Sequence, residues 1–246
     1  MANGDRLYKV LNEDGTPYNG GKGKWYLPKG GRPGKWMPAI RGELEACRNG
    51  YHLCLANQLI NWLGPVIYEA EARGDRIEDT NKVVVRQARL LRRVEAWNRK
   101  AIRLLACDFA EHTIHFFEAK YPDDRRPRNA IEVARRFANG KATTEEFNNA
   151  GVAARAAIRA AWAEAIAWTG AAAEAVAWDA EAAAEAVAWA AWDTEAAAGT
   201  VAWAAWNTGV AAGMDKAAEL NWQAQRLQEI ILPQKDAHPD KAEIVS

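Results

Sequence analysis

The stretch "VIYEAEARGDRIEDTNKVVVRQARLLRRV", residues 66–94, decides how the first third of the chain reads. "VIYEAEARG" alternates apolar and polar residues, and "KVVVRQARLLRRV" does so at its start. That two-residue period belongs to a half-buried strand. The polar "DRIEDTN" between them supplies a connection, so the two runs are expected to pair antiparallel. Toward the N-terminus, "GYHLC" (50–54) and "LYKVL" (7–11) are two further short strand signals. Between those lies "NEDGTPYNGGKGKWYLPKGGRPGKWMP" (12–38), dense in Gly, Pro and Lys and read as an exposed, turn-rich loop. "NQLINWLG" (57–64) has the spacing of a short amphipathic helix ended by Gly64.

Toward the C-terminus the period changes. "WNRKAIRLLACDFAEHTIHFFEAKY" (97–121) sets Leu104, Leu105, Phe109, Ile114 and Phe117 at mostly helical spacing, ending before Pro122. "PDDRRPRNAIEVARRFANG" (122–140) reads as a loop and then a helix closed by Asn139-Gly140. Thr143 or Thr144 followed by Glu145 and Glu146 resembles a capped restart. Beyond it, "EAVAW" occurs at 174–178 and 185–189, and "VAWAAW" at 187–192 and 201–206. On a helix, 11 residues overshoot three turns by about 20° and 14 fall about 40° short of four. Trp178, Trp189, Trp192, Trp203 and Trp206 therefore fall in an arc of about 100°, with Glu185 inside it and Val176, Val187 and Val201 opposite. The segment is expected to form a few long helices, with breaks near 169–170 and 207–215. A last helix, "DKAAELNWQAQRLQEIIL" (215–232), is N-capped by Asp215 and stopped by Pro233.

These readings predict an α+β chain: a small N-terminal α+β domain followed by a larger all-α Ala/Trp-rich helical bundle. The expected boundaries are 1–95 for the α+β domain, 96–127 for a connecting helix and loop, 128–232 for the helical domain and 233–246 for a flexible tail.

The 246 residues carry no formal net charge, but the halves differ. Residues 1–127 hold 22 Lys and Arg against 16 Asp and Glu, and residues 128–246 hold 10 against 16. That asymmetry suggests units attracted to each other or to a charged partner. Three cysteines, Cys47, Cys54 and Cys107, lack a disulfide-framework spacing, and no cationic-then-apolar leader opens the chain. A reduced cytoplasmic compartment is expected. Acidic residues interrupt the Ala-rich region every few positions, so no membrane span is expected.

Candidate chemistry is sparse. Asp108, Glu111, His112 and His115 share one helical face, a spacing that can bind a transition metal. A full site needs a second set of ligands, and only His52 and His238 remain, so no metal is expected. Cys47 and Cys54, with His52 between them, have a poor zinc spacing and read as two core thiols. "GGKGKWYLPKGGRPGKW" (20–36) lacks the Walker pattern, although its lysines, glycines and tryptophans leave nucleic acid open as a ligand. Arg86, Arg89, Arg92, Arg93, Arg99 and Arg103 read as a basic face, as ordinary solvated charge or as partners of the acidic C-terminal helices. No catalytic residue and no cofactor is expected.

"PDDRRPRNAIEVARRFANGKATTEEF" (122–147), leading into Ala-rich helices, resembles the immunity-protein family associated with bacterial toxin systems. "WNRKAIRLLACDFAEH" and the N-terminal strand segments resemble uncharacterised phage and actinobacterial proteins that often end in Ala/Trp-rich repeats. The resemblance implies inhibitor-like binding of a protein partner, a toxin or a host defence protein. The layout of the first 80 residues is also similar to ADP-ribosyltransferase-like folds. By that resemblance Lys9, Tyr51, His52 and Glu69 or Glu71 would face a nicotinamide cleft, with Lys9 where an Arg or His is usual.

The expected function is therefore a non-catalytic protein that binds its partner stoichiometrically through the helical Trp/Glu surface of Trp178, Trp189, Trp192, Trp203, Trp206 and Glu185. Ala-faced helices also suit self-association, so a homo-oligomer is expected and a self-assembling structural protein is the alternative. The transferase-like enzyme is the other. Dialysis against a strong chelator is expected to leave the melting temperature unchanged. A fall reversed by zinc or manganese would instead reveal a complete ligand set.

Overall fold

The computed structural model describes residues 6–167 and 216–232. Four antiparallel strands open the chain: β1 (Leu7–Leu11), β2 (Tyr51–Leu55), β3 (Val66–Asp79) and β4 (Lys82–Arg93). They are arranged β1-β2-β4-β3, and β3 also pairs with β1, so the sheet closes on itself. The expected β3–β4 hairpin is present, but "DRIED" continues the strand and only Thr80-Asn81 turns, with Asp79 opposite Lys82. The Asp79 carboxylate accepts the Thr80 N–H at 2.7 Å and lies 3.6 Å from the Lys82 ammonium, which holds the reversal tight. The ladder slips between Glu69 and Ala70 and again between Arg73 and Arg76. Gly74, at φ +78°, takes the second slip, where a Cβ would press on Arg86 at 3.3 Å. Such bulges bend and twist a strand, which closure of so few strands requires.

Strand alternation leaves apolar groups on both faces. Leu7, Leu11, Leu53, Val66, Tyr68, Val83, Val85 and Leu90 share one cluster with Trp25, and Leu27 and Met37 pack at its edge. The Gly/Pro/Lys-rich stretch is thus no free loop. The N–H groups of Gly34, Met37 and Ile40 donate to the carbonyls of Leu90, Ala88 and Arg86 at 2.8, 2.9 and 3.0 Å. The stretch is a strap along β4, drawn in by its own tryptophan and by carbonyls the sheet leaves open. At Gly34 a Cβ would stand 1.9 Å from the Tyr26 carbonyl oxygen, so only glycine fits the crossing.

The second face is covered by helices. Tyr8, Val10, Cys54 and Ile67 cluster with Leu59, Ile60 and Leu63, with Trp97, and with Ile102, Leu105 and Phe109 of α1 (Arg99–Lys120). Ala224, Leu227 and Ile231 of α4 (Lys216–Ile231) complete that cluster. Residues Ala56–Asn61 form a 3-10 turn rather than the expected amphipathic helix. Six residues are too few for a stable α-helix, and the Gln58 side-chain oxygen already takes the Leu55 N–H at 2.9 Å. The Trp97 indole N–H donates to the Gly64 carbonyl at 2.8 Å and fixes the passage from sheet to helix.

Helix ends follow local chemistry. The Asn98 side chain accepts the Lys100 and Ala101 N–H groups at 3.1 Å, so α1 starts there. α2 (Arg126–Ala138) carries Pro127 in its first turn and ends at Asn139, before Gly140 at φ +69°. Thr143 and Glu146 cap α3 (Thr144–Ala167) reciprocally, at 3.1 and 2.7 Å. Phe117 and Ile114 of α1, Ile131 and Ala134 of α2, and Phe147, Ala150 and Ala154 of α3 form a further cluster.

The expected fold class, a small α+β domain followed by a larger all-α bundle, is corrected. The described residues form a mixed α+β body, an antiparallel four-stranded sheet followed by helices, not a large all-α bundle. The sheet is too small to cover its second face alone, so α1 and α4 bury their apolar stripes against it. The Ala/Trp repeats, the proposed helix breaks, Asp215 and the 233–246 tail lie outside the described residues. No helix among the described residues is long and apolar enough to cross a membrane.

Leu227 is fully buried in the cluster that joins sheet and helix. Leu227→Ala is expected to cost about 2–5 kcal/mol in urea unfolding. Strand and helix signals should be lost in one transition. Two separate transitions would show that α4 and the sheet do not share a core.

Candidate functional site

The ladder between β1 and β2 is only two pairs long, Leu7↔Leu55 and Tyr8↔Cys54. Beyond Tyr8 the strands part, and the Lys9 ammonium donates to the freed His52 carbonyl at 3.0 Å. The gap opens into a cavity of about 350 Å³ whose walls include Lys9, His52, Cys54, Trp62 and Lys82, with Cys47 at its rim. Asn19 reaches across to the Trp62 carbonyl at 2.9 Å and holds the Gly20-Gly21 loop beside the opening. Trp62 is itself anchored, its indole N–H donating to the Asn81 carbonyl at 2.6 Å.

The electrostatics follow from burial. Loss of water pulls the Lys9 ammonium down from its usual 10.5 to about 8. Burial, then the Lys9 and Lys82 charges, hold the His52 imidazole below its ordinary range. Its Nε2 accepts the Cys47 N–H at 2.8 Å, which fixes the neutral tautomer with the proton on Nδ1. Cys47 supplies that N–H from a left-handed backbone, φ +64°, the one non-glycine residue with positive φ among the described residues. Of the two expected core thiols, Cys54 is buried and pushed up to about 12, whereas Cys47 is exposed.

The transferase-like set does not assemble. Lys9 and His52 share the cavity, but the Tyr51 hydroxyl donates to the Pro38 carbonyl at 2.8 Å. Glu69 is held by Arg92 at 2.7 Å and Glu71 by Arg89 at 2.6 Å, on the hairpin away from the cavity walls. The arginine run pairs in the same way, Arg86 with Asp75 at 2.8 Å and Arg93 with Glu13 at 2.9 Å. These carboxylates lie on the strands and their flanking loop, not on the C-terminal helices. Arg103 lies over the Phe137 ring.

The helical face read as a possible metal set is engaged in contacts between helices. Asp108, its side chain only 10% exposed, takes Arg135 of α2 and Arg226 of α4, each at 2.7 Å. Glu111 pairs with Arg135, and Glu118 with Arg128. His112 stacks on Trp222 with ring centroids 3.7 Å apart, and its Nδ1 lies 3.0 Å from the buried Glu219 carboxylate. His115 Nδ1 lies 3.0 Å from the His112 carbonyl. Among the described residues no group of three or more His, Cys, Asp or Glu could hold a metal ion. Trp178, Glu185, Trp189, Trp192, Trp203 and Trp206 lie outside the described residues.

Residues 92–230, from the end of β4 into α4, match the family described as "Imm-5 like putative immunity protein". The chain belongs to this Imm-5 like family. No curated protein and no solved structure matches it. The family segment takes in the ion-paired faces of α1 and α2 and the whole Ala/Trp repeat, and it leaves the Lys9 cavity outside.

Sequence reading reached Lys9 only through the transferase resemblance and His52 also as a spare metal ligand beside Cys47 and Cys54, and it missed Lys82 and Trp62. Both flank turns, Trp62 after the 3-10 segment and Lys82 after Thr80-Asn81, and only barrel closure brings them together. Because the Lys9 pKa is lower folded than unfolded, the unfolded chain binds the extra proton between about pH 8 and 10.5. The buried ammonium therefore penalises folding fully below about pH 8, and the penalty fades as pH rises. Lys9→Met is expected to melt above the parent near neutral pH, with the difference shrinking toward pH 10. A constant difference in melting temperature across that range would contradict a desolvated ammonium.

Proposed function

We propose that this Imm-5 like chain is a non-catalytic immunity protein that binds one toxin protein stoichiometrically and blocks it. Family membership over residues 92–230 carries this reading. The chemistry of the described part of that segment supports it. Cys107 is buried and its thiol pushed up to about 12 by desolvation, as in an inert core cysteine. Asp108, Glu111 and Glu118 are tied to arginines between helices. Such groups hold a surface in shape more readily than they move protons.

The finer reading places the contact on Trp178, Trp189, Trp192, Trp203, Trp206 and Glu185. On a helix their 11- and 14-residue repeat would set large rings on one arc, and each ring can bury about 150–250 Å². A bare patch of that size is one that soluble monomers rarely leave open. A toxin is the occupant the family favours, with a second copy of the chain as the competing one.

The test is co-expression of the full chain in bacteria with a panel of toxin domains. Growth is expected to be restored against one of them, with a 1:1 complex by size exclusion and light scattering. Trp192→Ala combined with Trp206→Ala is expected to weaken that complex by about 2 kcal/mol or more while circular dichroism keeps its helix content. Should helicity collapse while binding survives, the tryptophans are internal core and the interface lies elsewhere.

A further inference from the structure

We infer that the cavity between β1 and β2 is a binding site for a small molecule carrying an oxyanion, a carboxylate or a phosphate, on a planar apolar body. All its described wall residues lie between Tyr8 and Lys82, outside the segment that matches the immunity family. The site therefore lies outside the segment on which the immunity reading rests.

Charge points to the anion. Two ammonium groups, Lys9 and Lys82, line the cavity, and no Asp or Glu is among its described wall residues. Lys9 gives one hydrogen to the His52 carbonyl and lies over the Trp25 ring at 5.3 Å, and neither neighbour neutralises it. Lys82 meets Asp79 at 3.6 Å, but that carboxylate is 40% exposed and does not line the cavity. The Cys47 N–H occupies His52 Nε2, so the neutral ring carries its proton on Nδ1. A buried ammonium without a counter-charge is destabilising until an anion supplies one, and Lys9 is in that position.

Shape points to the rest of the ligand. Val10, Leu53 and the Trp62 side chain give the cavity apolar walls, and its volume of about 350 Å³ is that of a small-molecule pocket. The left-handed Cys47 adds an independent sign. Strained non-glycine backbone persists where the surroundings impose it, and here it serves to aim an N–H at His52.

The test is isothermal calorimetry on the full chain with benzoate, phenyl phosphate and neutral benzamide. Benzoate or phenyl phosphate is expected to bind one per chain, the tighter one naming the preferred oxyanion, and benzamide much more weakly. Lys9→Met should weaken binding about tenfold or more, and Lys82→Met, whose ammonium is shared with Asp79, severalfold. The titratable groups facing Lys9 are His52 and Cys54 of β2, Cys47 before it and Lys82 of β4. Binding should weaken between about pH 7 and 9 as Lys9 loses its proton, and the Lys9→Met protein should lack that dependence. Benzamide binding as tightly as benzoate would overturn the proposal. So would unchanged affinity in a folded Lys9→Met or Lys82→Met protein, or no binding of either anion at about 10 mM.

Discussion

Four antiparallel strands closed on themselves leave apolar side chains on both faces, and neither face can be covered by the strands themselves. Everything else in the described chain answers that constraint. On one side Trp25, Leu27 and Met37 arrive on a strap whose N–H groups pair with the open carbonyls of β4. On the other side α1 and α4, more than a hundred residues apart in sequence, meet over Tyr8, Val10 and Ile67. Each large side chain buried there contributes about 1.5–3 kcal/mol. A handful of such residues outweighs the surface ion pairs on the hairpin, each of which is worth at most about 1 kcal/mol.

The same closure creates the cavity. β1 has five residues and must serve β3 along its whole length, from Leu7↔Ala70 to Leu11↔Val66. On its other edge it follows β2 for two pairs only, and a carbonyl is left over. Lys9 fills the vacant acceptor with its ammonium, which is why a cation sits in the wall of a barrel. Site and fold share one cause: an incomplete seam needs a polar group, and the polar group available is charged.

What could be read from sequence was whatever local spacing encodes. The hairpin, both short strands, the Asn139-Gly140 stop and the Thr143/Glu146 cap depend on residues close in the chain, and their patterns were visible. What could not be read depends on distant partners. The strap looked like an exposed loop because glycine, proline and lysine hide the burial of Trp25 and the fit of Gly34. The fold class was misjudged because an apolar stripe on α4 does not say which surface it covers, and the sheet claims it. Lys82 and Trp62 carried no motif at all, since their meaning comes from a gap between strands that no local pattern announces.

The match to the immunity family starts at residue 92, just before β4 ends, so the family segment is not a free-standing body in this chain. Ile102, Leu105 and Phe109 on α1 and Leu227 on α4 point into the cluster that Tyr8, Val10 and Ile67 complete. Removed from the barrel, those four residues would form a bare apolar patch. The barrel thus acts as the base on which the helices are set. Asp108, held between Arg135 and Arg226, ties α2 and α4 to α1 from the other side. Packing on one side and an ion-paired node on the other give the matched helices a fixed geometry. A surface held in that way would lose little conformational entropy on meeting a partner.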